Sequence, residues 1–440
     1  MKRIGWIISL VLVFSCASNT GEYKSKVQDP EFIHRSIKKI TDIIVYDIFS
    51  PPVASRIYAY VSVAGYEAFI PSDKTYLSLA GQLNGLTAIP QPKEGDEYCF
   101  ELASTEAILK VGRALIFSED KLDEYYREIM NEFRVAGVPD DVFERSVAYG
   151  NEVAAHILAW SSKDNYKQSR SFPKYTIVNN PATWKPTPPA YMDAVEPHWN
   201  KIRTFAIDSA QQFKPKPPTS FSTDKNSQFY KEAIEVYEVG KNLTEEQRTI
   251  ASFWDCNPFA MNVKGHVMFA TKKISPGGHW INITALASRA KQASLVQALE
   301  SYVKVTISLA DGFISCWDEK YRSVMIRPES YINQYIDENW VPLLQTPPFP
   351  EYTSGHAVIS AAAGLALTDS FGDNFAFTDS TEVEFGMAPR SFTSFKQASE
   401  EAAISRFYGG IHYIPACEEG KKEGTALAKL ILSRLHTRKE

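Results

Sequence analysis

Through the first 160 residues apolar side chains recur three and four positions apart, and no segment alternates in twos as a half-buried strand would. That period limits the fold more than any other feature of the chain. Ile33, Ile37, Ile40, Ile43, Ile44 and Ile48 set it between residues 30 and 70, where Pro51-Pro52 interrupts the pattern. Residues 100–133 and 142–160 carry further amphipathic helices with charged solvent faces. Residues 165–222 then change to proline, aromatic and asparagine side chains, including Trp184 to Pro189 and Phe213 to Pro218. A connection that long is functional or inter-domain. Helical signals return at 227–239, 294–317, 356–367, 394–407 and 419–435, and at 244–254 behind a Thr244/Gln247 capping box. The pattern predicts an all-α, many-helix protein. Its expected divisions are an N-terminal helical region over 30–222, with the long proline-rich loop, and a C-terminal helical bundle over 223–440.

With 44% apolar side chains in 440 residues, the chain buries a large core, which excludes disordered, collagen-like and coiled-coil classes. A net charge of −5 supplies no basic surplus to neutralise phosphates, so nucleic acid is not an expected partner and any anion site must be local. The five cysteines form no C-x-x-C pair and no zinc-like spacing with histidine. Cys99, Cys256, Cys316 and Cys417 could pair in an oxidising compartment; spacing does not say.

Cys16 differs from the other four. Lys2 and Arg3 precede an apolar run from Ile4 to Phe14, then Ser15-Cys16, which resembles a bacterial lipoprotein signal. The resemblance implies removal of residues 1–15, lipidation of Cys16, a polar tether over 16–29, export to the cell envelope and a membrane contact through the lipid. A signal cut elsewhere or a membrane anchor are the alternatives, although the run is short for a span.

Three later segments carry chemistry. Lys320 and Arg327 stand seven apart, so on one continuous helix they would project from one face with about 20° of drift, and Pro328 would stop that helix. Two cations on one face can grip a tetrahedral oxyanion; a solvated basic face is the plainer alternative. Next, Pro347 to His356 is a proline-laden loop that enters an alanine-rich helix at Ser354-Gly355. Unpaired backbone N–H groups and the helix dipole make that entrance an oxyanion seat, with the His356 imidazole at its mouth. An N-capping serine beside an incidental histidine would look the same. Finally, Arg406 and His412 flank Gly409-Gly410, which would break the helix and let both side chains reach one point.

The ordered set K-x6-R-P, S-G-H and S-R-x5-H resembles the superfamily of type 2 phosphatidic acid phosphatases, bacterial acid phosphatases and vanadium-dependent haloperoxidases. The resemblance implies a helical bundle whose single pocket holds vanadate as a peroxidase cofactor, or substrate phosphate with no cofactor. Carried over residue by residue, Lys320, Arg327 and Arg406 hold the equatorial oxygens, with Ser354 and the Gly355 amide completing the cage. His412 would be the vanadium ligand or the phosphohistidine nucleophile, and His356 the acid-base residue in either case. Trp317, Phe349, and the segments 253–255 and 275–280 resemble the long haloperoxidase branch, on which Asp255 would pair with Arg406. Phe349 occupies a place where chloride-oxidising members tend to carry Phe and bromide-oxidising ones His. The small-molecule partners implied are halide and peroxide, or a phosphomonoester; a non-catalytic oxyanion-binding lipoprotein is a third reading. His34, His156, His198, His266 and His436 fit no pattern and read as structural or surface residues.

Two positions depart from the family pattern. Thr353 stands where proline usually precedes Ser-Gly-His, and Ala416 stands where an aspartate four residues after the second histidine would orient the imidazole. Glu418 or a backbone carbonyl would have to take over that role.

Overall fold

The computed structural model describes residues 21–264 and 266–439. The export signal and the Cys16 lipidation site lie outside the described residues. The fold opens with α1 (Glu22–Val27), α2 (Glu31–Tyr46) and α3 (Pro51–Phe69), followed by α4 (Phe100–Leu115), α5 (Glu119–Ala136) and α6 (Asp140–Ser161). A one-turn α7 (Tyr166–Ser169) leads into the long irregular segment, after which α8 (Gln228–Lys241) and α9 (Glu245–Phe253) form. A small antiparallel hairpin of β1 (Met261–Lys264) and β2 (Val267–Ala270) precedes α10 (Pro276–Lys291), α11 (Leu295–Ser323) and α12 (Pro328–Tyr335). The chain continues with α13 (Gly355–Phe371), a second hairpin of β3 (Phe377–Asp379) and β4 (Arg390–Phe392), α14 (Phe395–Tyr408) and α15 (Ile414–Arg434). Both hairpins are too short for alternation to be visible in the sequence.

Local chemistry explains several boundaries. Pro51 and Pro52 begin α3 rather than merely interrupting a helix, because Ser50 caps it and the first turn needs no proline N–H. Capping boxes Thr244/Gln247 and Ser294/Gln297 open α9 and α11. The single helix expected to carry both Lys320 and Arg327 does not form. α11 ends at Ser323, where Val324 turns left-handed (φ 47°), and Arg327 is the extended N-cap of α12. Pro328 therefore starts a helix instead of stopping one, and the two cations are joined through a bend.

The 29-residue α11 is the axis of the molecule, contacting α3 on one side and α13 on the other; α13 also packs on α14 and α15. One apolar cluster runs from Tyr23 to Leu435 through all of these helices. α15 crosses α13 so closely that a Cβ on Gly424 would lie 2.0 Å from the Val358 carbonyl oxygen. The irregular segment is tied to this body by backbone and side chains. Trp184 and Trp199 are buried, Trp184 N–H donates to the Val324 carbonyl, and buried Asp311 accepts from the amides of Phe205, Ala206 and Ile207. No helix among the described residues is long and apolar enough to cross a membrane.

Candidate active site

The loop 347–353 and the start of α13 form one wall of the site. Ser354 caps α13 by accepting from the Ala357 amide, and its own amide donates to the Ala416 carbonyl of α15. The Gly355 amide lies in the first helical turn, where N–H groups lack intrahelical acceptors. Lys320 is fully buried rather than on a solvated face, and its observed task is to hold the loop. Its ammonium donates to the carbonyls of Pro350, Glu351 and Thr353 at 2.9, 3.0 and 2.5 Å, which uses its three protons to fasten the loop. Burial lowers its pKa to about 8. Thr353 binds the loop a second time, its hydroxyl donating to Glu423 Oε2 at 2.8 Å.

Arg327 and His412 meet on the next wall. Arg327 Nε donates to the Phe349 carbonyl, and Nη1 to the Ile411 carbonyl and, at 3.1 Å, to His412 Nε2. An Nε2 that accepts from a guanidinium must carry a lone pair, which puts the His412 proton on Nδ1. That Nδ1 lies 2.8 Å from Glu351 Oε1, which also accepts from the Tyr413 amide. Burial, then the charges of Arg327 and Lys320, hold the His412 pKa well below the usual imidazole range, so the ring is neutral. Burial also pushes Glu351 up to about 7, against the pull of Arg327 and Lys320. Neither Glu418 nor a backbone carbonyl replaces the missing aspartate at Ala416. Glu351 does, from a different segment.

Arg406 and His356 share one anchor. Arg406 Nη1 donates to the Trp254 carbonyl at 2.9 Å, and the His356 ring donates to the same carbonyl. Burial first, then Arg406, keeps His356 well below its ordinary pKa. The expected pairing of Asp255 with Arg406 is not formed. Asp255 Oδ2 instead holds Lys273 at 2.5 Å, since the chain beyond α9 turns its carboxylate toward the irregular segment leading into α10, and it acts on Arg406 only through space.

Gly355, His356, Arg406 and His412 border one narrow cavity, walled by Pro51, Phe313, Trp317 and Phe349. Trp317 and Phe349 rings are 4.9 Å apart, and Phe349 lies beneath both Lys320 and Arg327, at 5.2 and 5.1 Å. Such rings exclude water and strengthen every charge beside them. Among the described residues nothing pairs with Arg327 Nη2, Arg406 Nε or His356 Nε2, all buried. Unpaired buried donors are costly, so a site that gathers two guanidinium N–H groups in this state is built to receive acceptor oxygens, while His356 Nε2, the lone-pair nitrogen of a neutral ring whose proton goes to Trp254, is an unpaired acceptor beside them.

Glu351 escaped the sequence reading, although it lies inside the Pro347 to His356 segment, three residues before Ser354. A carboxylate in a loop otherwise made of proline and aromatic residues was the available signal. The Trp254 carbonyl had none, since backbone acceptors are invisible in a motif. His279 and Trp280 are both buried in α10, where Trp280 donates to Ser360 and His279 joins a separate polar cluster.

No curated protein sequence matches the chain. Residues 300–439 match the family model of the VCPO second helical-bundle domain. A bacterial vanadium-dependent chloroperoxidase has the same fold in its holo form, with TM-score 0.67, 15% identity, and 88% of this chain and 93% of that one covered. Its apo form gives 0.66, 17%, 88% and 94%. Much nearer is the crystal structure of a bacterial vanadium-dependent iodoperoxidase, with TM-score 0.89 and 51% identity over 93% of this chain and 98% of that one. Identity of that degree over nearly the whole length, on a chain whose cationic and imidazole groups converge on one cavity, places this chain in the vanadium-dependent haloperoxidase family.

Proposed function

We propose that this haloperoxidase binds vanadate in the cavity between α13, α14 and the 347–353 loop, and oxidises iodide with hydrogen peroxide. The single observation that carries the halide is the 51% identity to an iodoperoxidase over 93% of the chain. The cofactor is supported by the polar set: the donors Arg327 Nη2 and Arg406 Nε are buried and unpaired, and His412 Nε2 carries a lone pair that, among the described residues, only the Arg327 guanidinium engages. His412, Arg327, Arg406, Ser354 and the Gly355 amide would hold the anion. Vanadate, when bound, supplies the Lewis acidity that activates peroxide for attack by halide.

The protein's own share is positioning and proton handling. Glu351 keeps the His412 proton on Nδ1, Trp254 fixes Arg406 and His356 relative to each other, and the Trp317/Phe349 pair keeps bulk water out. Oxidation of a halide X⁻ by H₂O₂ to HOX and water consumes one proton, and the unpaired His356 Nε2 lone pair at the cavity is placed to take up a proton from peroxide and return it as the step proceeds. The sequence from Lys2 to Cys16 supports an exported, lipid-anchored protein, so oxidant would be produced in the cell envelope.

Purified chain stripped of vanadate should oxidise iodide only after vanadate is restored, with bromide and chloride slower. No vanadate-dependent oxidation of any halide would overturn the activity; bromide or chloride preferred over iodide would overturn the halide assignment alone.

A further inference from the structure

At the edge of the catalytic cavity, which Cys256 also borders, three potential metal ligands from distant parts of the chain meet in the buried interior. Cys256 follows α9, His279 lies in α10 and Glu382 belongs to the short 3₁₀ turn after β3. Cys256 Sγ is 3.3 Å from His279 Nδ1 and 3.8 Å from Glu382 Oε1, and the latter two atoms are 3.2 Å apart. All three side chains are at most 5% exposed. On the far side of the ring His279 Nε2 meets Asp379 Oδ2 at 2.6 Å, and Asp379 is itself held by the Thr381 amide.

Hydrogen bonds alone serve this triangle poorly. Three edges need three protons, whereas the thiol and Nδ1 can supply two at most, and each proton points along one edge only. With both protons turned toward Glu382, the Nδ1–Sγ edge is left without a hydrogen bond of its own. A small cation at the centre satisfies all three atoms together. Tetrahedral zinc bonds of about 2.0–2.3 Å would place such ligand atoms about 3.4–3.6 Å apart, close to the triangle observed. The Asp379–His279 contact is the carboxylate–imidazole arrangement that commonly orients a metal-binding histidine, fixing its proton on Nε2 and freeing Nδ1 for the ion.

We infer that Cys256, His279 and Glu382 form a second metal site, for a divalent zinc-class cation, with Asp379 as the positioning residue for His279. A thiolate and an imidazole favour zinc or cobalt over magnesium or calcium. The site belongs to the frame of the cavity. The Trp254 indole stacks on the His279 ring at 4.6 Å and 21°, and the Trp254 carbonyl is the acceptor that seats Arg406. A cation here pins the 254–256 strip to α10 and to the turn after β3, three segments otherwise joined by side-chain contacts.

The test uses the full chain after dialysis against a chelator, titrated with Co²⁺ and separately with Zn²⁺. One equivalent should bind, cobalt should show thiolate-to-metal charge-transfer absorption, and zinc should raise the melting temperature. Cys256→Ser should lose the charge-transfer band and the zinc-dependent rise. Asp379→Asn should keep the band but weaken affinity about 10- to 100-fold. Wild-type chain that takes up no stoichiometric Co²⁺ or Zn²⁺ overturns the inference, as does an unchanged cobalt spectrum in Cys256→Ser. The wild-type titration decides even if a variant fails to fold, and it needs neither vanadate nor halide, so it stands apart from the catalytic reading.

Discussion

Removing the Glu351 carboxylate is the sharpest perturbation of the catalytic pocket. Its Oε1 accepts from His412 Nδ1 at 2.8 Å and from the Tyr413 amide at 3.1 Å, and among the described residues no other carboxylate is paired with His412. Glu351→Ala leaves two buried donors unsatisfied and lets the His412 proton move to Nε2, which removes the lone pair an oxyanion centre would use. A hydrogen bond to a charged group contributes about 1.5–3 kcal/mol. Loss of a carboxylate that orients a metal-binding histidine costs about 10- to 100-fold in affinity, or about 1.4–2.8 kcal/mol. The two routes agree, so the vanadate dissociation constant should rise about 10- to 100-fold. Glu351→Gln, which keeps an acceptor oxygen and loses the charge, should fall between wild type and Glu351→Ala. The measurement is recovery of iodide oxidation as stripped protein is titrated with vanadate, with melting curves to show that each variant is folded. A folded Glu351→Ala protein that binds vanadate within twofold of wild type would refute the reasoning.

Three further outcomes follow from the fold. Gly424→Ala should destabilise by about 1–3 kcal/mol or more in chemical denaturation, because the new methyl meets the backbone of α13 and not a side chain that can turn away; a loss under about 0.5 kcal/mol would contradict the close helix crossing. Asp164 accepts from Arg56 and Tyr60 in the interior, so Asp164→Ala strands a buried guanidinium and should cost about 3–5 kcal/mol, read by the same method. Burial pushes Glu67 up to about 7 although Ser78 and Leu79 donate to it. A carboxyl raised on folding contributes stability that is complete below about pH 4.5 and is lost as pH rises through 7, on the order of 3 kcal/mol in all. Glu67→Gln should flatten that part of the stability–pH curve, and a curve unchanged from wild type would show that Glu67 does not titrate there.

Much of the helical architecture is readable in one dimension. The isoleucine period of α2, the Thr244/Gln247 and Ser294/Gln297 boxes and the serine cap of α13 are interactions between residues at most four apart, which a local pattern contains in full. The order of the three motif segments is likewise a property of the chain, and it points to the family. It leaves peroxidase and phosphatase open, because both use the same cage; likeness to an iodoperoxidase over nearly the whole chain, rather than any motif residue, separates them.

What the amino-acid sequence by itself determined was therefore helical class, the rough position of the long helices and the set of cationic and imidazole residues near the chemistry. The tertiary structure alone decided who meets whom. Glu351 reaches His412 across 61 positions, Lys320 fastens carbonyls 30 to 33 residues away, and Arg406 finds its acceptor on Trp254, 152 positions earlier. Cys256, His279 and Glu382, with no zinc-like spacing, come within 3.8 Å of one another. Periodicity and capping encode short-range geometry, whereas these encounters depend on how α11, α13 and α15 cross, and that crossing is set by the shape of a shared core rather than by any spacing along the chain.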